Sequence, residues 1–114
     1  MIDEIFDYVV IGAGTAGCVV AGRLSESGKF RVCVLEAGPP DRNPFIHIPA
    51  GVLHTLRNPD INWMYKGAGS PGLAGRAINH ARGRTLGGSG SINGHIYSRG
   101  QKADFDTWAQ LGNR

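Results

Sequence analysis

The hydrophobic and polar positions change period twice within the first 36 residues. Phe6 to Ile11 (Phe-Asp-Tyr-Val-Val-Ile) is a nearly unbroken β-prone run, the pattern of a strand covered on both faces of a parallel sheet. Ala16, Val19, Val20 and Leu24 then recur at helical spacing, with Arg23 and Glu26 elsewhere on the wheel. Gly28 stands where a left-handed cap would end that helix, and Arg31 to Glu36 (Arg-Val-Cys-Val-Leu-Glu) is a second β-prone run. Strand, helix and strand within about 30 residues predict a βαβ unit over residues 1–36.

Beyond that unit the periodicity fades. Five of the six prolines fall between Pro39 and Pro59, which predicts irregular chain with a short helical turn from Gly51 to Arg57, closed by Asn58-Pro59. Asn62 to Lys66 and Arg76 to Ala81 predict two further strands inside a loop-rich connection over residues 37–82. Residues 83–100 carry a second glycine-rich turn and then a short extended or helical stretch, His95 to Arg99. Phe105, Trp108 and Leu111 share one face of a helix predicted from Lys102 to Leu111, within residues 101–114.

Composition limits what this pattern can build. Eighteen Gly and six Pro in 114 residues make about a fifth of the chain, against a usual combined share of about 12%. Much of the backbone is therefore turn or close-approach loop, and little is left to form a core. The expected fold class is α/β, a Rossmann-like domain with a parallel sheet that begins βαβ and is incomplete in this chain. The chain itself is expected to be the N-terminal portion of a longer polypeptide, so that as it stands a cofactor-binding fragment without turnover is one reading.

Charge and reactive side chains exclude several classes. The net charge is +3 with a pI near 9.2, but the basic residues are scattered, and Arg76, Arg82 and Arg84 are separated by Gly and apolar residues. A nucleic-acid surface would cluster them more and interleave aromatics, so no nucleic-acid partner is expected. Cys18 and Cys33 lie in apolar runs with no metal or redox spacing, which predicts small buried side chains in a reducing compartment. His47, His54, His80 and His95 lack the i, i+4 pairing of a helical zinc site, and no metal is expected. The uncharged run Tyr8 to Gly22 follows Asp3, Glu4 and Asp7, the wrong flank for a signal peptide. It is also shorter than the ~20 residues a membrane span needs. No transmembrane segment and a cytoplasmic location are expected.

Two segments carry chemistry. In Gly12-Ala13-Gly14-Thr15-Ala16-Gly17, Gly12 permits a tight bend, Gly14 lets backbone approach a pyrophosphate, and Gly17 lets helix and strand pack closely. The helix opening at Thr15 and Ala16 presents N–H groups and a positive dipole end to phosphates. Glu36 follows about 20 residues later at the end of the second strand, where a carboxylate accepts hydrogen bonds from a ribose diol and repels a 2′-phosphate. The second segment is Gly83-Arg84-Thr85-Leu86-Gly87-Gly88-Ser89-Gly90-Ser91-Ile92-Asn93-Gly94. Gly87 and Gly88 allow close approach, and Ser89 or Ser91 is placed to cap a following helix whose first N–H groups face an anion. Taken alone, this segment reads equally as a flexible loop. Together, the two turns suggest a cofactor with two ends to hold, a flavin dinucleotide. A nicotinamide-dependent dehydrogenase is the rival, and it leaves the second turn without a task.

These segments resemble the N-terminal flavin-binding part of the glucose–methanol–choline (GMC) oxidoreductases, especially their choline-dehydrogenase-like branch. The likeness is carried by Asp7 to Cys18, Leu35-Glu36-Ala37-Gly38, Gly83 to Gly94, Tyr97-Ser98-Arg99-Gly100 and Asp104-Phe105-Asp106-Thr107-Trp108. The resemblance implies FAD as cofactor and oxidation of a small alcohol, with a base taking the hydroxyl proton while hydride passes to flavin N5. It implies that Thr15 and Ala16 meet the pyrophosphate, that Glu36 meets the adenosine ribose, and that Gly12, Gly14, Gly17 and Ala37 belong to the same cofactor-binding segments. Gly87, Gly88 and Ser89 would run beside the diphosphate and ribityl chain, and Asn93, Gly94, His95 and Ile96 near the isoalloxazine ring. Trp63 falls in a segment that approaches the cofactor. Some members attach FAD through a histidine at the position of Ile92, so noncovalent FAD is expected here. The family's catalytic histidine pair, or histidine and asparagine, lies far C-terminal and matches nothing in this chain, so no catalytic residue is assigned; a base at His95 would fall outside the pattern. The same scaffold also houses a hydroxynitrile lyase and a fatty-acid photodecarboxylase. The electron acceptor and the alcohol are left open.

Overall fold

The computed structural model describes residues 4–113; residues 1–3, including the flanking Asp3, and Arg114 lie outside the described residues. Its first unit is β1 (Tyr8–Ile11), α1 (Thr15–Ser25) and β2 (Val32–Leu35). The two strands pair in parallel with Tyr8 opposite Val32 and Ile11 opposite Leu35, the arrangement that a helical crossover between strands requires. Both strands are shorter than the apolar runs that predict them. Gly28 takes the left-handed conformation, φ +68°, and its N–H donates to Ser25 O at 2.9 Å, closing the end of α1 as expected.

The expectation of a strand covered on both faces is corrected by the structure. Val9 is 56% exposed and Ile11 86% exposed, and α1 has no buried residue. Among the described residues the sheet formed by β1 and β2 has only these two strands, so most of its surface faces solvent. Cys18 is likewise exposed rather than buried, and Cys33 is half-buried; both are free thiols.

The connecting region is built from short pieces. Pro44–Ile46 and Pro49–Gly51 are 3-10 turns that open with proline, and α2 (Val52–Thr55) continues the second of them. The predicted strands contract to β3 (Tyr65–Lys66) and β4 (Asn79–His80), an antiparallel pair. Met64 causes the contraction of the first: it stands at φ +54°, a left-handed backbone that interrupts a strand, and its N–H donates to Asn62 Oδ1 at 3.0 Å. Upstream of that break, Asn62 pairs with Gly83 as an isolated bridge. His95 to Arg99 forms no regular element. The last helix, α3 (Lys102–Gln110), is held at its start by a reciprocal capping box between Gln101 and Asp104. Its apolar face, Phe105, Trp108 and Leu111, is exposed.

Ile46, Ile61 and Ile92 form the buried apolar cluster. It joins the proline-rich segment, the chain before β3 and the end of the second glycine turn. The radius of gyration is 18.4 Å, against about 13 Å for a compact domain of this length. These residues therefore do not close a core around themselves, as the glycine-rich composition leads one to expect. Among the described residues no helix is long and apolar enough to cross a membrane, and no group of three His, Cys, Asp or Glu is placed to hold a metal ion.

Candidate cofactor site

The site grows from the end of β1. Gly12 leaves the strand at φ +93°, a conformation that side chains resist, and its N–H still donates to Leu35 O at 2.7 Å. Gly14 is the N-cap of α1, and a Cβ added at Gly12 or Gly14 would enter open space. A Cβ at Gly17 would lie 1.9 Å from Gly12 O, so the helix sits tightly against the turn. The N–H groups of Thr15, Ala16 and Gly17 have no acceptor within their own helix, as in any first helical turn. The first turn of α1 also carries no acidic residue. Unpaired donors at a helix N-terminus, with no acidic residue in the helix's own first turn, suit a pyrophosphate.

Glu36 braces this turn from the end of β2. Its Oε2 accepts from Ala13 N at 2.7 Å and its Oε1 from Gly38 N at 2.8 Å. Each carboxylate oxygen keeps a second acceptor direction, so bracing the loop and receiving a ribose diol are compatible tasks. Glu36, Ala37 and Trp63, with Ile11, Gly12 and Leu35, line an open depression of about 380 Å³. Trp63, expected only to lie in a segment that approaches the cofactor, thus shares one surface with Glu36 and Ala37 although it lies far along the chain from them.

The second glycine turn docks onto the first through backbone. Gly87 N donates to Ala13 O at 2.8 Å, and Gly87 and Gly14 form a parallel bridge. Gly87 and Gly88 are both left-handed, at φ +84° and +57°. A Cβ at Gly88 would stand 2.8 Å from Gly14 Cα, and one at Gly90 2.8 Å from Thr15 Oγ1. The two turns therefore merge into one surface almost bare of side chains, beside the open start of α1. The residues present fit a dinucleotide: free donors for its phosphates, a carboxylate for its ribose, and glycines where a Cβ would obstruct it.

The serines do something other than expected. Gly88–Ser91 is a 3-10 turn with no side-chain cap. Ser89 Oγ instead accepts from Gly83 N at 3.0 Å, and Ser91 Oγ donates to Leu86 O at 2.8 Å, because a tightly folded loop has backbone groups of its own to satisfy. Asn93, Gly94, His95 and Ile96 continue past the turn as an exposed strip. Asn93 Oδ1 accepts from His95 N at 2.8 Å, and His95 is left-handed at φ +56°. No hydrogen bond among the described residues ties this strip to the first turn. Ile92 points away from it, 2% exposed in the isoleucine cluster.

Three residues central to this assembly escape a reading of local pattern. Gly38 is the point where the loop after β2 touches the second turn, since a Cβ there would lie 2.1 Å from Arg84 C and O. Thr85 is fully buried, its hydroxyl donating to Pro39 O at 2.9 Å, and Leu86 N donates to the same carbonyl. Asn62 is buried with both its amide oxygen and its amide nitrogen hydrogen-bonded. Gly38 and Thr85 stand in segments that carry the family resemblance, though nothing local marks their contacts; Asn62 carries no signal at all.

The sequence profile of the family described as GMC oxidoreductase matches residues 6–114. An alcohol dehydrogenase [acceptor] from Pseudomonas putida is 46% identical over 108 residues, covering 95% of this chain and 20% of that protein. An oxygen-dependent choline dehydrogenase from Vibrio vulnificus is 44% identical over 107 residues, covering 94% of this chain and 19% of that protein. Among solved structures, pyridoxine 4-oxidase from Mesorbium loti superposes with a TM-score of 0.78 at 38% identity, over 91% of this chain and 20% of that one. A formate oxidase superposes with a TM-score of 0.76 at 36% identity, over 96% of this chain and 19% of that one. The chain thus spans about a fifth of the length of the relatives it matches.

Proposed function

The chain belongs to the GMC oxidoreductase family, and from that premise we propose that it is the FAD-binding N-terminal part of an enzyme that oxidises a small alcohol. The observation that carries this reading is the docking of the second glycine turn on the first, which gives one continuous site for a dinucleotide. When bound, FAD supplies a two-electron acceptor for hydride from a carbinol carbon. This chain's own residues bind and orient. The start of α1 and the paired glycine turns hold the diphosphate, Glu36 holds the adenosine ribose and keeps the first turn in shape, and Trp63 walls the nucleotide end. The strip Asn93 to Ile96 would run beside the isoalloxazine ring and offer backbone N–H groups to negative charge there. No residue of this chain acts as the catalytic base, so turnover needs the rest of a longer polypeptide.

FAD is held without a covalent bond in this reading. Ile92 offers no nucleophilic atom, and its side chain is packed with Ile46 and Ile61. Acid precipitation of the complete polypeptide is expected to leave the visible flavin band in the supernatant. Colour retained in the pellet would mean covalent attachment, and a folded, colourless protein that takes up no added FAD would remove the cofactor assignment.

Replacing Glu36 with alanine is expected to weaken FAD binding by ~1–3 kcal/mol, because charged hydrogen bonds to ribose are lost and the N–H groups of Ala13 and Gly38 are left unpaired. Titration of the apoprotein with FAD measures this. Unchanged affinity would take Glu36 out of the site.

A further inference from the structure

We propose that Arg84 is a positioning residue for the nucleotide end of the cofactor site, acting through Trp63; the proposal rests on the FAD reading above. The Arg84 guanidinium carbon lies 5.4 Å from the centroid of the Trp63 ring, a cation–π contact. Its Nη2 donates to Pro59 O at 3.0 Å and to Asp60 O at 3.2 Å, and its backbone N–H donates to Ile61 O at 2.8 Å. The guanidinium is thus anchored to the chain just before Trp63, while Trp63 N donates to Arg82 O at 2.9 Å. On the other side, the Arg84 backbone is the surface against which Gly38 packs. Arg84 therefore bridges the loop that follows Glu36 and the segment that carries Trp63, the two sides of the depression.

One detail separates this role from ordinary loop bracing. Arg84 Nε is buried and has no hydrogen-bond partner among the described residues. A side chain selected only to tie carbonyls together would gain from replacing that unpaired donor with a methylene, as lysine does. Lysine, however, lacks the planar guanidinium that lies over the indole. Trp63, 43% exposed and also stacked on Tyr65 with ring centroids 5.9 Å apart, would then lose the contact that fixes it beside Glu36. An aromatic wall held in place next to a ribose-binding carboxylate suits the flat face of a purine.

The test is a double-mutant cycle on FAD affinity, read by titrating the apoprotein of the complete polypeptide. Arg84→Lys and Trp63→Leu are each expected to weaken FAD binding roughly tenfold. The double variant should be no weaker than either single one, and Arg84→Lys should leave the melting temperature of the apoprotein unchanged. Trp63→Phe, which keeps an aromatic face under the guanidinium, should stay within about threefold of the unsubstituted protein. Losses that add, or an Arg84→Lys protein whose affinity falls only in step with its melting temperature, would overturn the assignment. If Arg84→Lys does not fold, Trp63→Leu still decides, because full FAD affinity in that variant leaves Arg84 nothing to position. Should the unsubstituted protein take up no FAD, the reading of the site falls and this proposal with it; normal uptake with additive losses removes only the role of Arg84.

Discussion

Gly38→Ala is expected to destabilise the complete polypeptide by ~3 kcal/mol or more and to empty its flavin site. The new methyl carbon would stand 2.1 Å from Arg84 C, 2.1 Å from Arg84 O and 2.3 Å from Thr85 N. All three are backbone atoms, so no side chain can rotate away to make room. One of the two segments has to move, and both are fixed. Gly38 N is bound to Glu36 Oε1, while Thr85 Oγ1 and Leu86 N share Pro39 O. Separating them would draw the second glycine turn off the first and pull on Glu36, which also holds Ala13. The measurement is a melting curve together with the visible flavin absorbance of the purified protein. A Gly38→Ala protein carrying a full complement of FAD and melting at the unsubstituted temperature would show that this contact is not what joins the two turns.

Asn62→Ala should cost about 4 kcal/mol, chiefly in stability. The side chain is 2% exposed. Its Oδ1 accepts from Met64 N at 3.0 Å and from Arg82 N at 3.1 Å, and its Nδ2 donates to Leu56 O at 2.8 Å. Alanine would leave two N–H groups and a carbonyl short of a partner, and leaving a buried polar group unpaired costs ~1–3 kcal/mol. Met64 would also lose the bond that supports its left-handed backbone. Since Trp63 adjoins Met64 and its own N–H donates to Arg82 O, FAD affinity should fall as well, though less than stability. Denaturant unfolding of the FAD-saturated protein measures the main effect, and a loss below about 1 kcal/mol would show that water replaces the amide at all three groups.

The two predictions concern residues that differ in how far the chain announces them. Gly38 belongs to Leu35-Glu36-Ala37-Gly38, a segment that stands out once the family resemblance is seen, yet its contact with Arg84 has no local sign. Asn62 reads as an ordinary polar residue in a predicted strand, and its three partners lie at positions 56, 64 and 82. The strand itself breaks at Met64 because that amide rewards a left-handed backbone, a term that β-propensity does not contain. The serines of the second turn show the same limit. Their preference for helix caps is real, but a folded loop supplied nearer partners in Gly83 N and Leu86 O.

By itself the sequence determined the βαβ unit, the bend at Gly12, the left-handed stop at Gly28 and the amphipathic helix after Gln101. Each is written in periodicity, glycine conformation or capping over a few consecutive residues, where the energetic preference is local. Only the tertiary structure decided that the second glycine turn lies on the first, that Glu36 braces Ala13 and Gly38, that Trp63 joins Glu36 at one depression and that Ile92 turns inward. Those arrangements depend on pairs of residues far apart in the chain whose energies exist only once the backbone has brought them within contact distance, so no short stretch of sequence carries them.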